Sequence, residues 1–511
     1  MIADKKPHER KTRMEKREMK RKKNALLLSI VCCGSGQFFV YRQRIKGGVL
    51  FLPQFLIMLI ELLSGYWIEY FQGRIPEFSL RLHGGFFTKG IWGMITLGEK
   101  AGGRYGDHST MLLINGVIAI LILGIAFATY VWNIYDIQAG NKKIESKVSW
   151  QKSFSKNLLY FILIPIGIVF IFVVLMPIVF TFLTAFLNYN RNHLPPGQLL
   201  DWVGFENFKK LFTVSIWSET FFKVLGWTII WTLCSTLLPY FFGLIQALIL
   251  NHKSVKLKKV FQSILILPWA IPQMVSLLVF RNLLNGQFSP VNQLLLRLGL
   301  ISENIGFISD PISAKIVVIC VSFWLGFPMF MLMMMGVLSN LDHSLYEAAA
   351  IDGASSIQQF GKITLPLVFK ATMPNLVMSM AANFNGFGLI YFLTQGGPIN
   401  TEMQFAGDTD ILISWIYKLT LNQQMYDIAA VMSVLLFIFV GVVSLWNFRR
   451  TTSFKELQEK RNEEKDHCYF SEWRIDVYVY CSIGSGSMDY SFCFSVRECI
   501  RKSLIVSFDT K

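Results

Sequence analysis

Two groups of residues have types and spacing that could do chemistry. The first is Ser379, Asn383 and Asn385, polar groups inside the apolar run 370–394. Ser379 and Asn383 are four residues apart, so a helix sets them on one face. Polar groups inside an apolar span are costly, which makes them candidate site residues. The competing use is a hydrogen bond that braces neighbouring helices. The second group lies between Asp342 and Lys370. Tyr346 to Ile351 favours helix, and Ala348, Ala349 and Ala350 give it a slim surface that can enter a cleft. Gly353 permits a sharp turn. Ile357, Phe360 and Ile363 recur at helical spacing on a second short helix, which Pro366 is expected to end. Two short helices joined in this way form a rigid knob, able to pass motion between packed bodies.

Other chemistries are missing from the sequence. It contains no GxxxxGK[ST] phosphate loop, so ATP hydrolysis by this chain is not expected. Eight cysteines show no CxxC spacing, and neither a metal site nor a disulfide framework is expected. The apolar runs hold no constellation of His, Asp, Ser or Cys that would suggest a membrane enzyme, and no chain of buried charges that would suggest an ion-coupled carrier.

The elements that must position these groups follow from composition. Hydrophobic residues make up 53% of the 511, charged residues only 16%, and Phe alone numbers 44. A water-soluble fold could not cover that much apolar surface with so little charge. Runs at roughly 47–66, 111–132, 157–187, 220–250, 260–281, 314–337, 370–394 and 425–448 each approach the ~20 residues that cross a hydrocarbon core. The expected fold is therefore all-α and polytopic, with about eight transmembrane helices. A ninth apolar stretch, 25–34, is too short to cross, and 25–41 is expected to be re-entrant or interfacial.

Charge sets the expected orientation. Of the first 23 residues, 11 are Lys or Arg, with five Lys in 138–156 and four in 251–259. Placing these on the inner face puts both termini in the cytoplasm and leaves 67–110, 188–219, 282–313 and 395–424 outside as small folded caps. The net charge of +16 then serves membrane lipid. No aromatic residue is interleaved in the basic stretch to stack on bases, so no nucleic-acid partner is expected. The expected organisation is a basic tail at 1–24, an N-terminal membrane region at 25–150, a main transmembrane domain at 151–450 with the loop 339–369, and a tail at 451–511. That tail changes character from about 467, and no function is assigned to it.

Glu347-Ala348-Ala349, Gly353, Ile363, Leu365 and Pro366 match at every spacing the pattern E-A-A, three residues, Gly, nine residues, I-x-L-P. In this the sequence resembles the coupling loop of ABC import permeases. VGFENFKKLF at 203–212, LPWAIP at 267–272, WLGFPMF at 324–330, ANFNGFGLI at 382–390 and LTQGGP at 393–398 extend the resemblance over about 150–450. They look like the maltose/maltodextrin permease family, and the eight expected crossings fit its larger membrane subunit. The resemblance implies a cell-membrane permease paired with a second, unlike permease. It also implies two ATP-binding subunits that hold the ATP and an extracytoplasmic sugar-binding protein, with no cofactor on this chain. By the same resemblance Leu325, Gly326, Ser379 and Asn383 line the sugar site. Three positions depart from the pattern: Met329 stands where an aromatic is usual, Ala382 where Phe is, and Gly386 where a second Asn is. Each change removes bulk or a hydrogen-bonding group, which implies a pocket that is wider or binds less specifically. An importer for another oligosaccharide, such as a galacto-oligosaccharide, is the alternative within the family. A phosphorylated substrate is disfavoured because no Arg or Lys lies inside 371–394, and Lys315 stands at the start of its run.

Overall fold

In lipid, backbone amides and carbonyls must find partners within their own segment, and a helix supplies them. The computed structural model follows that rule. It describes residues 6–64, 85–99, 107–139, 158, 162–163, 165–195, 197–252, 255–286 and 289–450. Among them no β-strand occurs; there are only isolated bridges, as between Leu187 and Trp202. Six helices are long and apolar enough to cross a membrane: Lys46–Leu63, Ser109–Gln138, Pro165–Thr184, Ser215–Asn251, Pro311–Ser339 and Ser356–Phe384. A bent pair, Lys258–Ala270 with Gln273–Leu284, supplies a seventh. A shorter apolar helix, Tyr426–Val442, stands where the eighth crossing was expected. The chain is a multi-pass membrane protein. The 451–511 tail and most of 67–110 and 138–156 lie outside the described residues.

The chain forms two compact units. The first takes it to Leu225 and includes Ile399–Leu435; the second takes Gly226–Pro398 and the chain from Leu436. In the first unit, α1 (Lys6–Val31) carries the basic stretch directly into the apolar residues 25–31. The separate tail and apolar segment expected there are thus one helix, because nothing between Lys23 and Ala25 breaks helical propensity. The chain then turns through Gly36–Val40 into α2 (Arg44–Leu63). Ser29 Oγ accepts from Gly36 N at 3.0 Å, and Tyr130 of α4 (Ser109–Ala139) donates to the Ile30 carbonyl at 3.0 Å. Between them comes α3 (Phe86–Thr96), whose first amides are capped by Glu61: its carboxylate accepts from Gly85, Phe87 and Thr88. This satisfies donors that a helix N-terminus leaves free. After α5 (Pro165–Thr184) comes α6 (Glu206–Thr213), a short amphipathic helix that buries Asn207 and Leu211.

In the second unit, α7 (Ser215–Asn251) continues from the first, followed by α8 (Lys258–Ala270) and α9 (Gln273–Leu284). The sequence suggested one span over 260–281, but α8 and α9 meet at 84°. Ile271 is extended and Pro272 has no amide hydrogen to continue the ladder. α10 (Pro290–Arg297) follows, then α11 (Pro311–Ser339), α12 (Ser344–Ile351), α13 (Ser356–Gln359), α14 (Leu365–Phe384) and α15 (Phe387–Leu393). The span expected at 370–394 is therefore shifted: its helix starts earlier and stops at Asn385. α16 (Leu412–Leu421) returns the chain to the first unit, and α17 (Tyr426–Arg450) starts there.

The core that fixes the second unit lies among α7, α11 and α14. Tyr240, Leu244, Phe330, Met331, Met334 and Leu376 are all buried in it. A Cβ on Gly243 would stand 2.7 Å from the Met331 amide, so only glycine allows α7 and α11 this approach. Tyr240 Oη and Thr372 Oγ1, 2.8 Å apart, satisfy each other within that apolar core.

Candidate functional site

The knob is built as its residue types require. α12 carries Glu347, Ala348 and Ala349, with Glu347 and Ala348 exposed. Asp342 Oδ1 accepts from Ser344 N at 2.9 Å, and hydrogen bonds from Ser344 hold the Asp342 carboxyl below its usual range. Gly353 has φ +77 and open space where a side chain would point. The left-handed turn, not crowding, is what selects glycine there. A reciprocal capping box between Ser355 and Gln358 then starts α13.

Beyond α13 the helix does not end. It passes through a π-turn at Phe360–Thr364, which carries Ile363, straight into α14. Leu365 and Pro366 form the first turn of α14, so the expectation that Pro366 closes the second short helix is corrected. Within this continuous helix the amide donor that Pro366 lacks falls just after the π-turn, where the regular ladder is already relaxed. The knob is in this way continuous with a span. Tyr346 Oη lies 2.9 Å from Thr364 Oγ1, tying α12 to the π-turn. Ile351 is 87% exposed and Ile357 83%, so the tip presents two large apolar side chains that nothing among the described residues covers.

The sugar-site residues of the sequence reading fall on α11 and α14. Leu325 is buried, and Gly326 lies against Pro239 of α7, its Cβ position 3.3 Å from Pro239 Cβ. Asn383 is half-buried, and its amide is already engaged: Nδ2 donates to the Ser235 carbonyl at 3.2 Å and to Thr236 Oγ1 at 2.9 Å. Its backbone carbonyl accepts from Trp231 Nε1 at 3.0 Å. Ser379, also half-buried, makes no side-chain hydrogen bond among the described residues. Asn385 caps α14 and donates to the Ala381 carbonyl at 3.2 Å. Of the departing positions, Met329 and Ala382 are exposed, and Gly386 begins α15.

The structure brings Ser379, Asn383 and Ala382 onto one helix and sets Met329 on the helix beside it. It also brings up a residue that the sequence reading passed over. Asn375 is exposed, one turn before Ser379, with Nδ2 3.0 Å from Met333 Sδ. A carboxamide in the middle of an apolar helix, four residues from Ser379, was signal enough to find it.

Residues 239–452 match the family described as binding-protein-dependent transport system inner membrane component. The galactooligosaccharides transport system permease protein GanP of Bacillus subtilis (strain 168) is 39% identical over 445 residues, 86% of this chain and 100% of its own length. The maltodextrin transport system permease protein MdxF of the same organism is 34% identical over 452 residues, 85% of this chain and 97% of its own. The maltose/maltodextrin transport system permease protein MalF of Vibrio vulnificus (strain YJ016) is 38% identical over 269 residues, 52% of this chain and 51% of its own. Likeness that runs the length of two permeases, on a multi-pass helical chain with the knob in place, shows that this chain belongs to the family of binding-protein-dependent transport system inner membrane components.

Proposed function

We propose that this chain is the larger, non-catalytic permease subunit of an ATP-driven importer for maltose and maltodextrins. In this reading it lines the path with a second, unlike permease. Two ATP-binding subunits dock on the cytoplasmic face and a sugar-binding protein delivers substrate from outside. ATP is bound by the partners, and no cofactor belongs to this chain. Both termini and the 339–369 loop face the cytoplasm, and the main transmembrane domain is 151–450.

One observation carries the reading: the bare apolar tip of the knob, with Ile351 at the end of α12 and Ile357 on the helix that runs unbroken into α14. Such a lever can convert closure of an ATPase into movement of the helix that bears Ser379 and Asn383. Glu347, Ala348, Ala349, Gly353, Ile363, Leu365 and Pro366 shape it, while Leu325, Gly326, Ser379 and Asn383 border the sugar.

A second reading, import of galacto-oligosaccharides, is favoured by the 39% identity to a permease whose whole length is matched. Competition uptake separates the two. Cells carrying the importer are given labelled maltotriose or labelled galactotriose, each with and without excess of the other unlabelled sugar. Maltotriose uptake that galacto-oligosaccharide does not compete supports the first reading; galactotriose uptake with no maltotriose uptake replaces it with the second.

A further inference from the structure

The open face of α14 holds more than the site already described. Asn375, Ser379 and Ala382 follow at i, i+4 and i+7 along one stripe of the helix, at the edge of the stripe whose earlier turns bury Val368 and Thr372. Asn375 stands at the middle of α14 and is exposed. Its Nδ2 meets only the thioether of Met333, a weak acceptor, and its Oδ1 accepts nothing among the described residues. An amide left in this state against lipid hydrocarbon would cost several kcal/mol. Polar groups at this depth face a wet cavity or another protein surface.

The opposing residues fit a wet cavity. Met329 and Met333 are four apart on α11, with Met329 exposed and Met333 half-buried. Consecutive spans run in opposite directions, so the contact between Asn375 and Met333 sets Met329 level with Ser379. The face is thus a ladder with polar rungs at Ser379 and Asn375 and a thioether wall. A sugar ring has hydroxyls at its rim and C–H groups on its faces. The amide can donate to and accept from the hydroxyls, and flexible thioethers conform to the faces.

We propose that Asn375 is a second sugar-contacting residue, one turn nearer the 339–369 loop than Ser379, which receives the oligosaccharide as it moves toward the cytoplasm. This rests on the reading of the chain as an oligosaccharide permease. The test uses the assembled importer in proteoliposomes with its binding protein, and the probe is maltotriose, with galactotriose in parallel. Wild type is compared with Asn375→Leu, Asn375→Ala and Asn375→Gln for maximal uptake, half-saturation, and the amount and thermal stability of complex.

Removing one neutral hydrogen bond corresponds to about two- to tenfold in rate. The leucine and alanine variants should lose maximal uptake on that scale at unchanged half-saturation, which the binding protein sets. Complex yield should be normal, and glutamine should recover much of the loss. If Asn375→Leu and Asn375→Ala transport as wild type does, the rung is disproved while the permease reading stands. If both assemble poorly and the surviving complex transports normally, Asn375 braces the partner permease and the inference falls. If wild type takes up neither sugar, the permease reading fails first and takes the inference with it.

Discussion

At the scale of single residues, Asn383 shows how one side chain can be asked to do two jobs. Its amide nitrogen is spent on Ser235 and Thr236 of α7, leaving Oδ1 as the atom that could face a sugar. The two roles separate by mutation. Thr236→Val removes the hydroxyl that accepts from Asn383 without touching the open face of α14. It should lower the thermal stability of the complex by about 1 kcal/mol and leave uptake per assembled complex unchanged. Asn383→Ala should cost the same stability and also reduce uptake, about two- to tenfold. Uptake that follows assembly in both variants would reduce Asn383 to a brace. The shared face of Ser379 and Asn383 was legible in the sequence because helix periodicity needs no tertiary knowledge. The bonds to α7 were not, since Asn383 and Ser235 are 148 residues apart and their meeting depends on how α7 and α14 pack. Asn375 was legible in principle, as a polar residue in an apolar run.

At the scale of elements, the knob gives the sharpest expectation. Ile351 and Ile357 are more than four-fifths exposed, so replacing both with Asp removes no internal packing and should change stability by less than about 0.5 kcal/mol. If these side chains seat in an ATPase cleft, the double variant should assemble weakly with the ATP-binding subunits and lose sugar-stimulated hydrolysis. Normal stimulated hydrolysis would refute the docking role. Gly353→Pro tests the turn: Pro fixes φ near −65°, whereas this position holds +77, so stimulated hydrolysis should fall there too. A different element, α16, rests on a buried pair in which Lys418 Nζ meets Asp410 Oδ2, with Ser414 Oγ and Gly407 N also donating to the carboxylate. Burial pushes the Asp410 carboxyl above its usual range while Lys418 draws it back. Lys418→Met should therefore destabilise the protein by about 3–5 kcal/mol at neutral pH. With the folded carboxyl then raised further, the stability of the variant should be greatest at acid pH and fall as pH rises through the folded value. Melting of purified complex at pH 5 and pH 8 checks this; an equal loss at both would mean that the pair contributes packing and not charge. Helical spacing of Ile357, Phe360 and Ile363 was readable in advance. That the helix runs on through Pro366 was not, because proline ordinarily marks a stop and the π-turn that accommodates it leaves no signal in the sequence. Nor did Pro272 by itself announce the 84° bend.

At the scale of the whole molecule, the sequence made a multi-pass helical fold plain, since lipid requires long apolar runs. Against the eight crossings expected, the described residues hold six helices long enough to cross, a seventh if the bent pair is one span, and the shorter Tyr426–Val442. Their breaks and exact limits were less plain, because composition does not say where a helix stops being straight. Orientation rests on charge alone. Lys and Arg crowd 1–23, 138–156 and 251–259, and the positive-inside rule places these with the 339–369 loop in the cytoplasm. Two exposed serines on opposite predicted sides make the test. Ser356 starts α13 in the knob, and Ser309 precedes α11 in the predicted outer segment. In a chain whose eight native cysteines have been replaced and whose uptake persists, Ser309→Cys should react with a membrane-impermeant maleimide added to intact cells. Ser356→Cys should react only after the membrane is opened. The opposite pattern would place the knob outside, where no ATPase could reach it, and would remove the coupling role together with the orientation. Labelling of both from outside would mean that α11 (Pro311–Ser339), the span between the two serines, does not cross the membrane as predicted.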